Sequence, residues 1–67
     1  MLPKLPRLTA EQAERLLLKA NFRLMRSKGS HRIYQRDTER FVIPFHKGKV
    51  LHPKITKDLL VLINDDY

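Results

Sequence analysis

Apolar residues recur along this chain with two different periods, and the changes of period divide it into five predicted elements. Ala13, Leu16, Leu17 and Ala20 share one helical face. Thr9 and Gln12 have capping-box spacing, and Leu8 sits where a staple residue packs, so this helix is predicted to begin at Thr9. Asn21 follows the last apolar position and suits a left-handed cap. From Phe22 the period shortens to two, with Phe22 and Leu24 on one side and Arg23 and Met25 on the other, which predicts a strand ending near Ser27. Lys28–Gly29–Ser30 reads as a turn and His31 to Gln35 as a second short strand. Arg36–Asp37–Thr38–Glu39 is a polar turn before a third strand, Arg40 to Pro44, whose closing proline cannot donate a ladder hydrogen bond.

Residues 45–53 lose the alternation and read as a loop carrying His46, Lys47, Gly48, Lys49, His52 and Pro53. A final helix is predicted to start between Pro53 and Ile55, with Ile55, Leu59, Leu62 and Ile63 on its apolar face. Pro3 and Pro6 make residues 1–7 an extended lead-in, and Asn64–Asp65–Asp66 oppose the helix dipole, predicting a frayed tail over 64–67. The order is α-β-β-β-α, an α+β fold. An antiparallel three-stranded sheet with both helices on one face is its simplest two-layer form. Nothing in the pattern repeats, and a single domain accounts for residues 1–67.

Size and charge narrow the picture. A chain of 67 residues buries only about 60% of its unfolded surface, and without cysteine it has no disulfide to help, so a bound partner is an expected source of stability. Fourteen Lys and Arg stand against seven Asp and Glu, a formal net charge of +7. From Lys19 to Lys57 lie 11 basic residues, and only Asp37 and Glu39 oppose them before Asp58. The positive field is thus concentrated in the sheet, its loops and the start of the last helix, which favours a polyanion: nucleic acid or an acidic protein. No apolar run has membrane-spanning length and Met1–Leu2–Pro3–Lys4 opens no signal-peptide core, which leaves the cytoplasm as the default location.

The densest candidate chemistry is Lys28–Gly29–Ser30–His31–Arg32–Ile33–Tyr34. Gly29 permits a tight turn that delivers His31 to the start of a strand. Imidazoles exchange protons near neutrality, as removal of a proton from an RNA 2′-hydroxyl requires, and Lys28 or Arg32 would then compensate charge on the pentacoordinate phosphate. Such chemistry needs no cofactor or metal in principle and discriminates against DNA, which lacks the nucleophile. His31 can equally be a structural residue or a phosphate contact. His46 is a candidate proton donor to the leaving 5′-oxygen, a phosphate contact, or a plain loop residue. Ser30, Lys47 and Lys49 join the substrate-binding candidates. Of the aromatic residues, Phe41 is assigned to the core, and Tyr34, in phase with Arg32, is expected to be the ring nearest the surface, where bases stack. His52 before Pro53 is read as a helix cap. The three histidines lack a carboxylate or thiolate neighbour and stand in a positive field, so no metal site is predicted.

Taken in order, Gly29–Ser30–His31–Arg32–Ile33–Tyr34, Val42–Ile43–Pro44–Phe45–His46–Lys47–Gly48 and His52–Pro53–Lys54 before a helix resemble the HicA-type, or YcfA-like, toxins of HicAB toxin–antitoxin systems, over residues 9 to 63. The resemblance implies a double-stranded-RNA-binding-like fold and metal-independent cleavage of mRNA, with His31 the essential histidine. It also implies a HicB-type antitoxin partner that covers the active surface, with operator DNA reached only through the antitoxin complex. Two positions depart from the family's habit. Asn21 stands where glycine is usual, and Ile55–Thr56 where a glycine-threonine pair is common. Two other readings remain open: a non-catalytic RNA-binding module of the same fold, and an interaction protein that is basic only to meet an acidic partner.

Overall fold

Local hydrogen-bonding devices supplied by the sequence set both ends of the first helix and the start of the second. The computed structural model describes residues 6–64; of the lead-in expected over 1–7 and the frayed tail expected over 64–67, residues 1–5 and 65–67 lie outside the described residues. Helix α1 runs over Ala10–Lys19, strands β1, β2 and β3 over Arg23–Lys28, His31–Arg36 and Glu39–Pro44, and helix α2 over Pro53–Asn64.

Helix α1 opens with a reciprocal capping box: Gln12 N–H donates to Thr9 Oγ1 at 3.2 Å, and Thr9 N–H donates to Gln12 Oε1 at 2.9 Å. It closes in a Schellman turn, with Phe22 N–H donating to the Leu17 carbonyl at 2.9 Å and Asn21 N–H to that of Leu18 at 3.1 Å. Asn21 has φ +72°, so asparagine takes the left-handed position that glycine would fill more easily. That reversal drops Phe22 into the core. At the other helix, His52 is the cap: its Nδ1 accepts from Lys54 N–H at 3.1 Å, and its carbonyl accepts from Ile55 and Thr56 N–H. Pro53 follows at the first helical position, where no N–H is needed.

The sheet has the order β1-β2-β3, and both pairs are antiparallel. The strands run a residue further than the hydrophobic pattern predicts because each hairpin turn uses only two residues, Gly29–Ser30 and Asp37–Thr38. Their first positions have φ +59° and +52°, the primed-turn conformation that matches the twist of the flanking strands. Lys28 and His31 therefore face each other directly across the first hairpin.

Both helices pack on the sheet face that carries Tyr34 and Ile43. Ala10, Ala13 and Leu17 of α1, Leu59 of α2, Phe22 and Leu51 complete the buried cluster, with Leu16, Phe41, Phe45, Ile55, Leu62 and Ile63 packed around it. The loop after β3 is stitched to the start of α1: Ala10 N–H donates to the Lys49 carbonyl, Leu51 N–H donates to the Leu8 carbonyl, and Thr9 bridges Val50. Among the described residues, no helix is long and apolar enough to cross a membrane.

Candidate active site and nucleic-acid interface

Side-chain alternation along β2 sorts its residues onto two chemically different faces. Arg32, Tyr34 and Arg36 point to the helices, as their contacts with α1 and its end show. His31, Ile33 and Gln35 point to the opposite, uncovered face. Strand pairing carries this alternation into three cross-strand rungs: Lys28–His31–Pro44, Arg26–Ile33–Val42 and Arg23–Gln35–Arg40. A β-bulge between Leu24 and Arg26 makes this set possible. Because Met25 is an extra residue there, Arg23 shares a face with Arg26 and Lys28, which unbroken alternation forbids.

His31 opens the first rung, exposed, and its side chain makes no hydrogen bond among the described residues. The loop after β3 comes to the same end of the sheet, where Phe45 N–H donates to the Ser30 carbonyl at 2.6 Å. His46, the next residue, is exposed, and its carbonyl accepts from Lys49 N–H at 2.9 Å. Gly48, at φ +76°, turns the loop and points its N–H at the Glu11 carboxylate, 3.1 and 3.2 Å from the two oxygens. The fold thus gathers Lys28, Gly29, Ser30, His31, His46, Lys47 and Lys49 at one end of the sheet, with all five basic or imidazole side chains solvent-exposed. Cations and an exposed imidazole together can attract a phosphodiester and exchange a proton with it.

Tyr34 does not belong to this surface. Its parity with Arg32 is as the sequence suggests, but that parity points at the helices, and the ring is completely buried. The hydroxyl donates to Glu14 Oε2 at 2.5 Å. Burial, and then the bond to a carboxylate, push the Tyr34 phenol well above the usual tyrosine range. Arg32 is also turned inward and already engaged: its guanidinium donates to Glu14 at 2.8 Å and lies 3.8 Å over the Phe45 ring. The Glu14 partnership raises the Arg32 pKa further, so this charge is fixed. Neither Phe45, covered by Arg32, nor Phe41, packed against the core, offers an open stacking platform.

Two carboxylates missed by the sequence reading organise this region. Glu14 holds Tyr34 and Arg32 from 20 and 18 residues away, a separation that leaves no local pattern. Glu11, which fixes the Gly48 loop, had only the weaker signal of an acid in the first helical turn. His52 is the cap it was expected to be. Among the described residues, no three His, Cys, Asp or Glu side chains group as a ligand set.

A comparison with protein-family models matches residues 10–63 to the family described as HicA toxin of bacterial toxin-antitoxin. Searches of curated proteins and of solved structures gave no match.

Proposed function

The chain belongs to the HicA toxin family of bacterial toxin–antitoxin systems, and on that premise we propose that it is a metal-independent endoribonuclease that cleaves mRNA with His31 as its general base. The observation that carries this reading is the position of His31: exposed at a tight hairpin, directly across from Lys28, with no protein hydrogen bond among the described residues tying up its ring. His31 takes the proton of a 2′-hydroxyl, the 2′-oxygen attacks phosphorus, and the bond to the 5′-oxygen breaks. The products are a 2′,3′-cyclic phosphate and a 5′-hydroxyl, the latter protonated by His46 or by water. The Lys28 ammonium compensates the extra charge on the pentacoordinate phosphate. We assign this role to Lys28 rather than Arg32, whose guanidinium is on the other face and paired with Glu14. Ser30, Lys47 and Lys49 flank the reacting phosphate as binding groups.

The partner in this reading is a HicB-type antitoxin that covers the basic surface and links the pair to operator DNA. An acidic partner would also lend stability to a domain this small.

Replacing the 2′-hydroxyl at one cleavage position by hydrogen tests the chemistry. Cleavage there should stop while neighbouring positions are still cut, and the 3′-ends of products from unmodified RNA should be cyclic phosphates. Hydrolysis at the deoxy position, or binding without any cleavage across varied RNAs, replaces this reading with another nuclease mechanism or with a non-catalytic RNA-binding module.

A further inference from the structure

The cations of the sheet divide by face. On the helix side, Arg32 is paired with Glu14 at 2.8 Å and Arg36 with Glu39 at 2.6 Å, the two ion pairs among the described residues. On the open side, Arg23, Arg26, Lys28 and Arg40 are exposed and, among the described residues, without a carboxylate partner. All five described carboxylates, Glu11, Glu14, Asp37, Glu39 and Asp58, lie outside the three open-face rungs. The helical layer offers no comparable field: the solvent-exposed Arg15, Lys19, Lys54 and Lys57 are interspersed with Glu11, Glu14 and Asp58.

Building on His31 as the cleavage residue, we propose that a single-stranded RNA lies on the open sheet face, running from His31 toward the far rung, with Arg26 and then Arg23 and Arg40 holding successive phosphates. Successive rungs are two residues apart, roughly 6.7 Å along the strands, close to the reach of one nucleotide of an extended chain. The array is about 13 Å long and 10 Å wide, room for one strand and not for a duplex. Its middle rung is apolar at Ile33 and Val42, the latter exposed, which suits ribose and base faces lying between phosphates. No aromatic ring is on this face, so binding along it reads charge and spacing rather than base identity. The Met25 bulge is the device that builds the track, because it brings Arg26 and Lys28 onto the face that Arg23 already occupies.

The test uses a short single-stranded RNA, 2′-O-methylated throughout so that nothing is cut, titrated at several salt concentrations. Two charge-matched variants are compared with wild type after their folding is checked by circular dichroism. One is Arg23→Gln/Arg26→Gln/Arg40→Gln, and the other is Arg15→Gln/Lys19→Gln/Lys57→Gln in the helical layer. Each single-strand phosphate contact contributes about 0.7 to the slope of log affinity against log salt, so the open-face triple should flatten it by about 2 and lose roughly a hundredfold at 0.1 M salt. The helical triple should bind nearly as wild type. If the open-face triple misfolds, Arg40→Gln alone should take about a third of the slope change. Unchanged affinity for the open-face triple, or an equal or larger loss for the helical triple, overturns the track. Cleavage of unmodified RNA is read separately. A wild type that cuts while the open-face triple still binds defeats the track alone, and binding lost in that triple without any wild-type cleavage defeats the nuclease reading alone.

Discussion

Tyr34→Phe separates a structural tyrosine from an RNA-stacking one. The ring is fully buried, so phenylalanine fills the same volume and the change removes only the bond from the hydroxyl to Glu14 Oε2. Hydrogen bonds to charged groups contribute about 1.5–3 kcal/mol. Glu14 keeps Arg32 after the change, so the low end applies: a loss of about 1.5 kcal/mol at pH 7, roughly 6–12 °C in Tm for a domain of this size. The loss also carries a pH signature. Burial and the Glu14 bond hold the folded-state phenol above its ordinary value of about 10, so the stabilisation is whole below pH 10. Above that pH the unfolded tyrosine ionises while the folded one does not, and the wild type loses about 1.4 kcal/mol per pH unit that the variant does not lose. Urea unfolding followed by circular dichroism should therefore show two stabilities that differ at pH 7 and converge near pH 11. RNA affinity should be unchanged. Equal stability at pH 7, a gap that does not close with pH, or weakened RNA binding by a fully stable variant would refute the placement of Tyr34.

Other substitutions test the remaining joints. Thr56 is buried and, among the described residues, its hydroxyl has no hydrogen-bond partner, so Thr56→Val should raise stability by about 1 kcal/mol in the same urea assay. Asn21→Val forces a β-branched residue to φ +72° and should cost about 1–2 kcal/mol, whereas Asn21→Gly should be neutral or slightly stabilising. Glu11→Gln weakens the hold on the loop after β3. Amide exchange at Gly48 should quicken while that of Tyr34 in the sheet centre does not, and equal protection of Gly48 in both proteins would show that the carboxylate does not anchor the loop.

Much of this molecule is legible in local pattern because its elements are locally determined. The Thr9–Gln12 box, the left-handed Asn21, the Gly29 turn and the His52–Pro53 helix start each depend on residues within a few positions of one another. The order of elements and the meeting of the Gly29 turn with the Phe45–His46 segment follow from three short adjacent strands. Tyr34 was misplaced for a definite reason. Alternation shows which residues share a face, but not which face the helices cover, and a ring beside two arginines looks like a surface ring until Glu14 arrives from α1 to bind the ring's hydroxyl and Arg32, while Arg36 pairs with Glu39. The Met25 bulge is likewise silent in sequence, since strict alternation over Phe22–Met25 reads equally well, yet it decides where Arg26 and Lys28 point.

The most direct test of the central claim is cleavage of a labelled single-stranded RNA, with EDTA present, by wild type and by His31→Ala. His31 is exposed and outside the core, so both proteins should show the same thermal unfolding. We predict that the wild type cuts and that the variant binds the RNA but cuts at least about a hundredfold more slowly, the scale of a lost general base. A folded His31→Ala protein that cleaves at the wild-type rate would contradict the account and move the chemistry to another residue.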